Sequence, residues 1–174
     1  MLSALQLDDY TVDDLRLETS QLYLTDPEKA ETLDEEDTED EIGFGLNLLP
    51  DSEANHILGL RMIVDVNGDV EEWAEEHRYR ARISAVGQFS FQDEREDRPP
   101  AEDLAHFFMQ SSVTILYGII RTRLADATSG QPYSKLMLPT MDFTPYIEDM
   151  ELDETEKERF RGLAPAPSSE ESEE

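Results

Sequence analysis

The chain has 174 residues, enough for one domain with its own core, and its 42 acidic and 14 basic residues give a formal net charge of −28. A field this acidic argues against binding to nucleic acid or to an anionic membrane surface, because both depend on attraction to phosphate. The sequence contains no cysteine, which excludes disulfides, thiolate metal sites and a cysteine nucleophile.

The N-terminal segment MLSALQLDDY has neither a basic region nor a long apolar run, so it does not resemble a signal peptide. No apolar segment reaches the ~20 residues that are needed to cross a bilayer. We therefore expect a soluble, cytoplasmic protein without direct membrane insertion.

The acidity has two compatible interpretations. Acid-rich, lysine-poor surfaces suit a cytosol at very high salt, where screening removes self-repulsion, and the only lysines are Lys29, Lys135 and Lys157. Alternatively, the acids form a docking face for a basic partner. The composition leaves both interpretations open.

The first part of the chain predicts strands on either side of an acidic block. Short apolar pairs between residues 5 and 24 indicate one strand, or two with a break near Asp8-Asp9. Residues 26–41 are mostly acidic and cannot bury enough apolar surface to fold alone, which predicts a solvated loop or a frayed helix. A short strand is indicated next by three alternating apolar residues, Phe44, Leu46 and Leu48.

Two longer strands follow. Residues 56–66 alternate between apolar and other side chains and end at Asn67-Gly68, which is typical of a hairpin because both residues tolerate positive φ. Residues 77–91, HRYRARISAVGQFSF, alternate strictly, so one face is buried and the other meets water or a partner. We expect 56–66 and 77–91 to pair antiparallel.

The second half predicts helices. Apolar residues recur at helical spacing from residue 104 to about 125, which indicates a long amphipathic helix. An extended link, SKLMLPTMDF, leads to a short helix that begins at Thr144-Pro145. Residues 153–161 run from acid to base before Gly162 and indicate a further helical segment.

Strands first and helices last indicate the α+β class, with an antiparallel sheet and helices on one face. We expect a single domain over residues 1–162, with an acidic loop at 26–41, followed by a disordered acidic tail at 163–174.

Four blocks, which follow one another along the chain as they do in the family, resemble the SecB family of protein-export chaperones. EEHRYRARISAVGQFSF resembles a strand of that family with its G-x-F-S turn, here Gly87 to Ser90, and TILYGIIRTRLADATSG resembles its long helix. KLMLPTMDF resembles its link into the last helix, and DLRLE at residues 14–18 resembles its first strand. The resemblance spans residues 10–150. It implies a SecB-like fold: a four-stranded antiparallel sheet with a long helix and a shorter C-terminal helix packed on one face.

The resemblance also implies a function. SecB-like proteins are ATP-independent holdases that bind unfolded preproteins in apolar grooves and pass them to the SecA translocase motor. A groove that accepts many sequences requires exposed apolar rows. The implied groove residues are Phe44, Leu46, Leu48, Tyr79, Phe143 and Ile147. The alternative, from the residues alone, is that these side chains belong to the core.

For SecA docking, the resemblance implies Asp14 and Glu18, which match acids of the family. Residues four apart on a strand share one face, so the pair can act together on a basic partner. The alternative is that both are ordinary surface acids among 42. Arg82 departs from the family, which often has an acid there.

The row of Arg78, Arg80 and Arg82 could suggest nucleic acid, but the acidic field argues against it. We interpret the row as neutralising acids on neighbouring strands or on another subunit. The family assembles as a homotetramer, a dimer of dimers, which implies the same assembly here.

No enzyme, metal site or cofactor is predicted. His56, His77 and His106 lack the spacing of metal ligands. Residues 65–69, DVNGD, are a poor match to a calcium loop because the glycine comes too early.

Four functions stay open at this level. The first is a holdase for secretory precursors, and the second is a SecB-like chaperone dedicated to an antitoxin of a toxin–antitoxin module. The third is a non-chaperone adaptor whose apolar rows are sealed inside. The fourth is a hydrolase without a recognisable motif.

Overall fold

A computed structural model describes residues 5–35, 39–49, 57–91, 103–150, 152 and 154–162. The strands are β1 (Leu5–Thr19), β2 (Ile42–Leu48), β3 (Ile57–Val66) and β4 (Tyr79–Phe91). The helices are α1 (Leu22–Thr25), α2 (Pro27–Glu35), α3 (Trp73–Glu76), α4 (Leu104–Thr128), α5 (Thr144–Glu148) and α6 (Glu154–Gly162). The predicted tail at 163–174 and His56 lie outside the described residues.

The four strands form one antiparallel sheet in the order β1-β4-β3-β2. This sheet, with the long helix α4 and the shorter α5 after its last strand, confirms the predicted α+β fold, although α1, α2 and α3 are inserted between strands. The pairing of β3 with β4 is also confirmed, and its register runs from Ile57 opposite Ser90 to Val66 opposite Ala81. The connection between them is longer than a two-residue hairpin, because the turn at Asn67 (φ 56°) leads into α3 before β4 begins.

The core lies between one face of the sheet and α4. Alternate residues of β3 and β4 are buried on that face, as the period-two pattern predicts. The ring of Phe89 on β4 meets Phe108 of α4 edge to face, with centroids 5.7 Å apart. A β-carbon on Gly87 would lie 3.0 Å from a methyl of Leu116, so β4 and α4 approach each other closely there. The predicted turn from Gly87 to Ser90 is therefore wrong: these residues continue β4, and both neighbouring strands pair with them.

The first strand is continuous, but it is irregular. β1 pairs with β4 along its whole length, with register shifts between Leu7 and Asp9 and between Val12 and Asp14. The predicted break near Asp8-Asp9 is thus a bulge within one strand. A bulge kinks a strand without ending its ladder.

Most of the acidic block folds as a helix, α2, so the loop interpretation is wrong for that part. Its apolar residues Ala30 and Leu33, three apart, turn inward and are buried. Asp34 of α2 accepts hydrogen bonds from the backbone N–H (2.7 Å) and hydroxyl (3.1 Å) of Ser134 and from Arg78 (3.4 Å). These contacts tie α2 to the extended segment that follows α4. Residues 36–38 of the block lie outside the described residues.

None of the helices in the described ranges has the length and apolar character needed to cross a membrane.

Candidate peptide-binding groove and docking face

The candidate groove begins with an apolar row on the edge strand β2. Every second side chain of this strand lies on the helix side of the sheet, opposite buried residues of β3. We call this set the β2 row: Ile42, Phe44, Leu46 and Leu48. All four side chains are half-buried and pack against the core. They remain partly accessible because no described strand continues the sheet beyond β2.

The short helix α5 and the residue before it pack on the β2 row through contacts between aromatic rings. The ring of Phe44 meets Phe143 at 5.5 Å and Tyr146 at 4.8 Å between centroids, both edge to face. Phe143 also meets Tyr117 of α4 at 5.1 Å. The Tyr117 hydroxyl donates a 2.8 Å hydrogen bond to the carbonyl of Pro139, which fixes the link between α4 and α5. Tyr146 remains 52% exposed, so one aromatic face of the groove meets water.

A cleft with a volume of about 650 Å³ extends the groove beyond the first residue of β2. Its apolar wall consists of Ile42 and the segment Met137–Pro139, and Met137 is 57% exposed. Its polar lining comes from four charged residues, Glu39, Asp40, Arg78 and Lys135. Methionine adapts its shape to different partners, which suits a site without a single fixed ligand.

Five of the six predicted groove residues lie at or beside the β2 edge, and Tyr79 does not. Phe44, Leu46 and Leu48 lie at the edge and are partly accessible. Phe143 and Ile147 border the same groove but are buried, at 4% and 5% exposure.

Tyr79 is separate from the groove. It lies on β4, two strands away from β2, and is 1% exposed. Its hydroxyl donates a 3.1 Å hydrogen bond to the carbonyl of Tyr133. In this conformation it is a core residue.

The groove is also bordered by three residues that sequence reasoning did not select: Ile42, Met137 and Tyr146. Ile42 is in phase with Phe44 and Leu46, so its signal was present in the alternation. The positions of Met137 and Tyr146 depend on how the link after α4 folds back, and no local pattern reports that.

The opposite, open face of the sheet carries Asp14 and Glu18. Asp14 lies opposite Ser84 and Glu18 lies opposite Arg80, so both carboxylates share this face. Arg16 stands between them, and its Nε lies 3.4 Å from Asp14 Oδ2. The face is therefore mixed in charge rather than uniformly acidic.

Two arginines of the row pair with acids of the same chain. Arg82 lies 3.0 Å from Asp65 on β3, and Arg78 lies 3.4 Å from Asp34 on α2. Arg80 donates to the carbonyl of Gly68. Among the residues described, no group of three or more potential metal-ligating side chains occurs.

No family model matches the sequence, and no curated protein matches it either. Solved structures do match. One is a SecB-like chaperone of Mycobacterium tuberculosis in complex with a ChAD peptide from the HigA1 antitoxin, with a TM-score of 0.52 and 14% identity over 79% of this chain and 88% of that one. Another is a protein of unknown function from Streptococcus agalactiae, with a TM-score of 0.42 and 8% identity over 78% of this chain and 97% of that one. The first likeness is one of fold, and the second is too weak to add to it.

Proposed function

Because the chain has the fold of a SecB-like chaperone, we propose that it is an ATP-independent holdase of the cytoplasm. Its clients are unfolded preproteins, which it binds in the groove along β2 and delivers to the SecA motor. The observation that carries the proposal is the half-buried β2 row at an open sheet edge, bordered by α5 and by the exposed Met137.

The groove chemistry supports a holdase. Burial of apolar surface is non-directional, so a row of aliphatic and aromatic side chains accepts many sequences. The row extends under α5, a helix of only five residues whose own Ile147 and N-cap residue Phe143 are buried. A small displacement of α5 would therefore lengthen the apolar surface that a client meets.

The test is suppression of aggregation. A denatured client is diluted into buffer without ATP, at low and at molar salt, and light scattering is followed with and without stoichiometric protein. We expect suppression by the parent and weaker suppression by Phe44→Ser, which removes the centre of the β2 row. The matched control is Leu24→Ser, which removes an exposed apolar side chain from α1. Circular dichroism checks that both variants are folded.

Two outcomes would count against this proposal. If the folded parent suppresses nothing at any salt, the fold serves as an adaptor with its apolar rows sealed inside. If Phe44→Ser and Leu24→Ser both behave as the parent does, clients bind elsewhere.

A second candidate function is a chaperone dedicated to an antitoxin. The observation that favours it is the antitoxin peptide in the complex of the Mycobacterium tuberculosis chaperone. An antitoxin gene beside the gene for this chain would support it. Competition between that antitoxin's peptide and an unfolded preprotein for the groove then measures which client is preferred.

Docking on SecA is proposed for the open face through Asp14 and Glu18, which lie on one side of β1. Asp14→Asn with Glu18→Gln should weaken SecA binding without affecting client binding. The matched control, Glu71→Gln with Glu72→Gln, removes two exposed acids from the connection between β3 and β4. Equal SecA affinity for both double variants would place docking elsewhere.

Assembly as a homotetramer is proposed on the side of the molecule where β1 meets α4. Tyr10 and Leu15 of β1 are 39% and 43% exposed. Arg123 of α4 donates to the Tyr10 hydroxyl at 3.2 Å, and Ile115 and Ile119 precede it on the same flank of α4. Exposed apolar side chains that adjoin one another favour contact with a second subunit. Light scattering should give four times the 19.9 kDa chain mass.

A further inference from the structure

The two edges of the sheet are built differently. Natural proteins protect an edge strand with charge, proline or bulges, because its unpaired backbone groups attract other strands. β1 has two bulges and five acids: Asp8, Asp9, Asp13, Asp14 and Glu18. β2, with the sequence IGFGLNL, has no charged residue and no proline. The contrast is notable in a chain of which 32% of the residues are charged.

The register shows which backbone groups point to the open edge of β2. The N–H of Asn67 donates to Glu41 (2.8 Å), and the N–H of Leu49 donates to Gly59 (2.9 Å). In an antiparallel ladder, residues that bond to the partner strand alternate with residues that do not. The odd-numbered residues of β2 therefore bond to β3. The N–H and C=O groups of the even-numbered residues point outward, and no described residue outside the sheet bonds to them.

These even-numbered residues are the β2 row. The same four positions thus present apolar side chains to the groove and unpaired backbone donors and acceptors to the edge. An extended chain along this edge would satisfy both at once, as in strand addition to other sheets. On the open face, Gly43 and Gly45 have no side chain, so little obstructs such a chain.

We infer that the client binds by adding a fifth strand to the sheet along the outer edge of β2. This inference rests on the proposed holdase function and specifies how the groove reads its client. The segment is extended, without charge over about seven residues, and has apolar side chains at every second position. Because the exposed Glu39 and Glu41 precede β2 and form no ion pair with any described residue, a basic residue at the adjoining end of the segment complements them.

The experiment is hydrogen exchange by NMR with a synthetic peptide as probe, acetyl-KSVSFSVSFS-amide. In the free protein, the outward amides of Phe44 and Leu46 should exchange fast, whereas Gly45 and Asn47, bonded to β3, should exchange slowly. With peptide at about 100 times its Kd, exchange at Phe44 and Leu46 should slow by about a hundred-fold. The Gly45 and Asn47 amides are the internal control for general stabilisation.

A peptide scan provides a second measurement that leaves the protein unchanged. Along an added strand, every second peptide amide, either the odd-numbered or the even-numbered set, donates to β2. N-methylation within that set should weaken binding by about five-fold for each hydrogen bond lost. N-methylation at positions of the other parity should leave the Kd unchanged. Side-chain binding alone predicts no dependence on parity.

The outcomes separate this inference from the holdase proposal. If clients are held but Phe44 and Leu46 exchange as fast as in the free protein, strand addition is wrong and the holdase proposal stands. The same conclusion follows if clients are held but the probe peptide does not bind. If no client is held, the proposed function fails, and strand addition fails with it.

Discussion

Phe44 and Tyr79 show what a sequence can and cannot reveal about a single residue. Both lie on the helix side of a strand, as alternation predicts, and both were predicted to line the groove. Phe44 lies on the edge strand and stays half-buried, whereas Tyr79 lies on a central strand beneath Tyr133 and is buried. The difference comes from strand order, which depends on pairing between distant segments and leaves no local signal.

Burial gives Tyr79 a measurable role in alkaline stability. Removal from water, the largest effect, raises the pKa of Tyr79 from 10.0 to about 12. A group whose pKa is raised on folding stabilises the fold below its unfolded pKa and loses that contribution as the pH rises. The contribution should therefore be complete below pH 10 and disappear between pH 10 and pH 12.

Tyr79→Phe tests this directly. Below pH 10 we expect the variant to be less stable than the parent by about 1 kcal/mol, because one hydrogen bond to Tyr133 is lost. Between pH 10 and pH 12 the parent should lose this advantage, since phenylalanine does not ionise. Urea unfolding at each pH measures the difference, and the exposed Tyr146→Phe should show no such trend. A parent–variant difference that stays constant to pH 12 would contradict the buried, neutral phenol.

At the scale of elements, the sequence predicted the regular segments well and the irregular ones poorly. The strands β3 and β4 and the helix α4 follow from strong periodicity, and α5 follows from Thr144-Pro145. Helix α2 was ambiguous because its buried residues, Ala30 and Leu33, are few and its acids are many. It is held in part by hydrogen bonds from Ser134, a hundred residues away, to Asp34. Burial raises the pKa of Asp34. The hydrogen bonds from Ser134, followed by that from Arg78, outweigh this effect and hold the pKa below its ordinary value.

The close approach of β4 to α4 makes Gly87 a packing requirement. A β-carbon there would lie 2.6 Å and 2.8 Å from ring atoms of Phe89 and 3.0 Å from a methyl of Leu116. Gly87→Ala should therefore lower the free energy of unfolding by about 1–3 kcal/mol, because the ring or the helix must move. The matched control is Gly45→Ala on β2, where a β-carbon meets nothing within 4 Å. Urea denaturation compares the two, and equal stability would mean that the sheet and α4 are not so closely packed.

For the whole molecule, the dominant property is a net charge of −28. Compact folding brings these charges together, and the repulsion is screened only when the Debye length is short. If the acids are an adaptation to high salt, the melting temperature should rise steadily from low to molar salt. Glu71→Gln with Glu72→Gln should reduce that dependence, since two exposed charges are removed. A melting temperature that does not depend on salt would favour the docking interpretation of the acidity.

The strand order also determines when the sheet can close during synthesis. β1 is the first of the four strands to be made, yet its partner is β4. The pair of Leu5 and Phe91 therefore cannot form until residue 91 has been synthesised. The hairpin of β2 and β3 involves neighbouring segments and can form earlier, because short loops close at lower entropic cost. Until β4 has been made, the chain therefore carries β1 as an unpaired strand. The acids along β1 repel the same segment of other nascent chains. The charge on the edge of the finished sheet therefore also protects the incomplete sheet from aggregation.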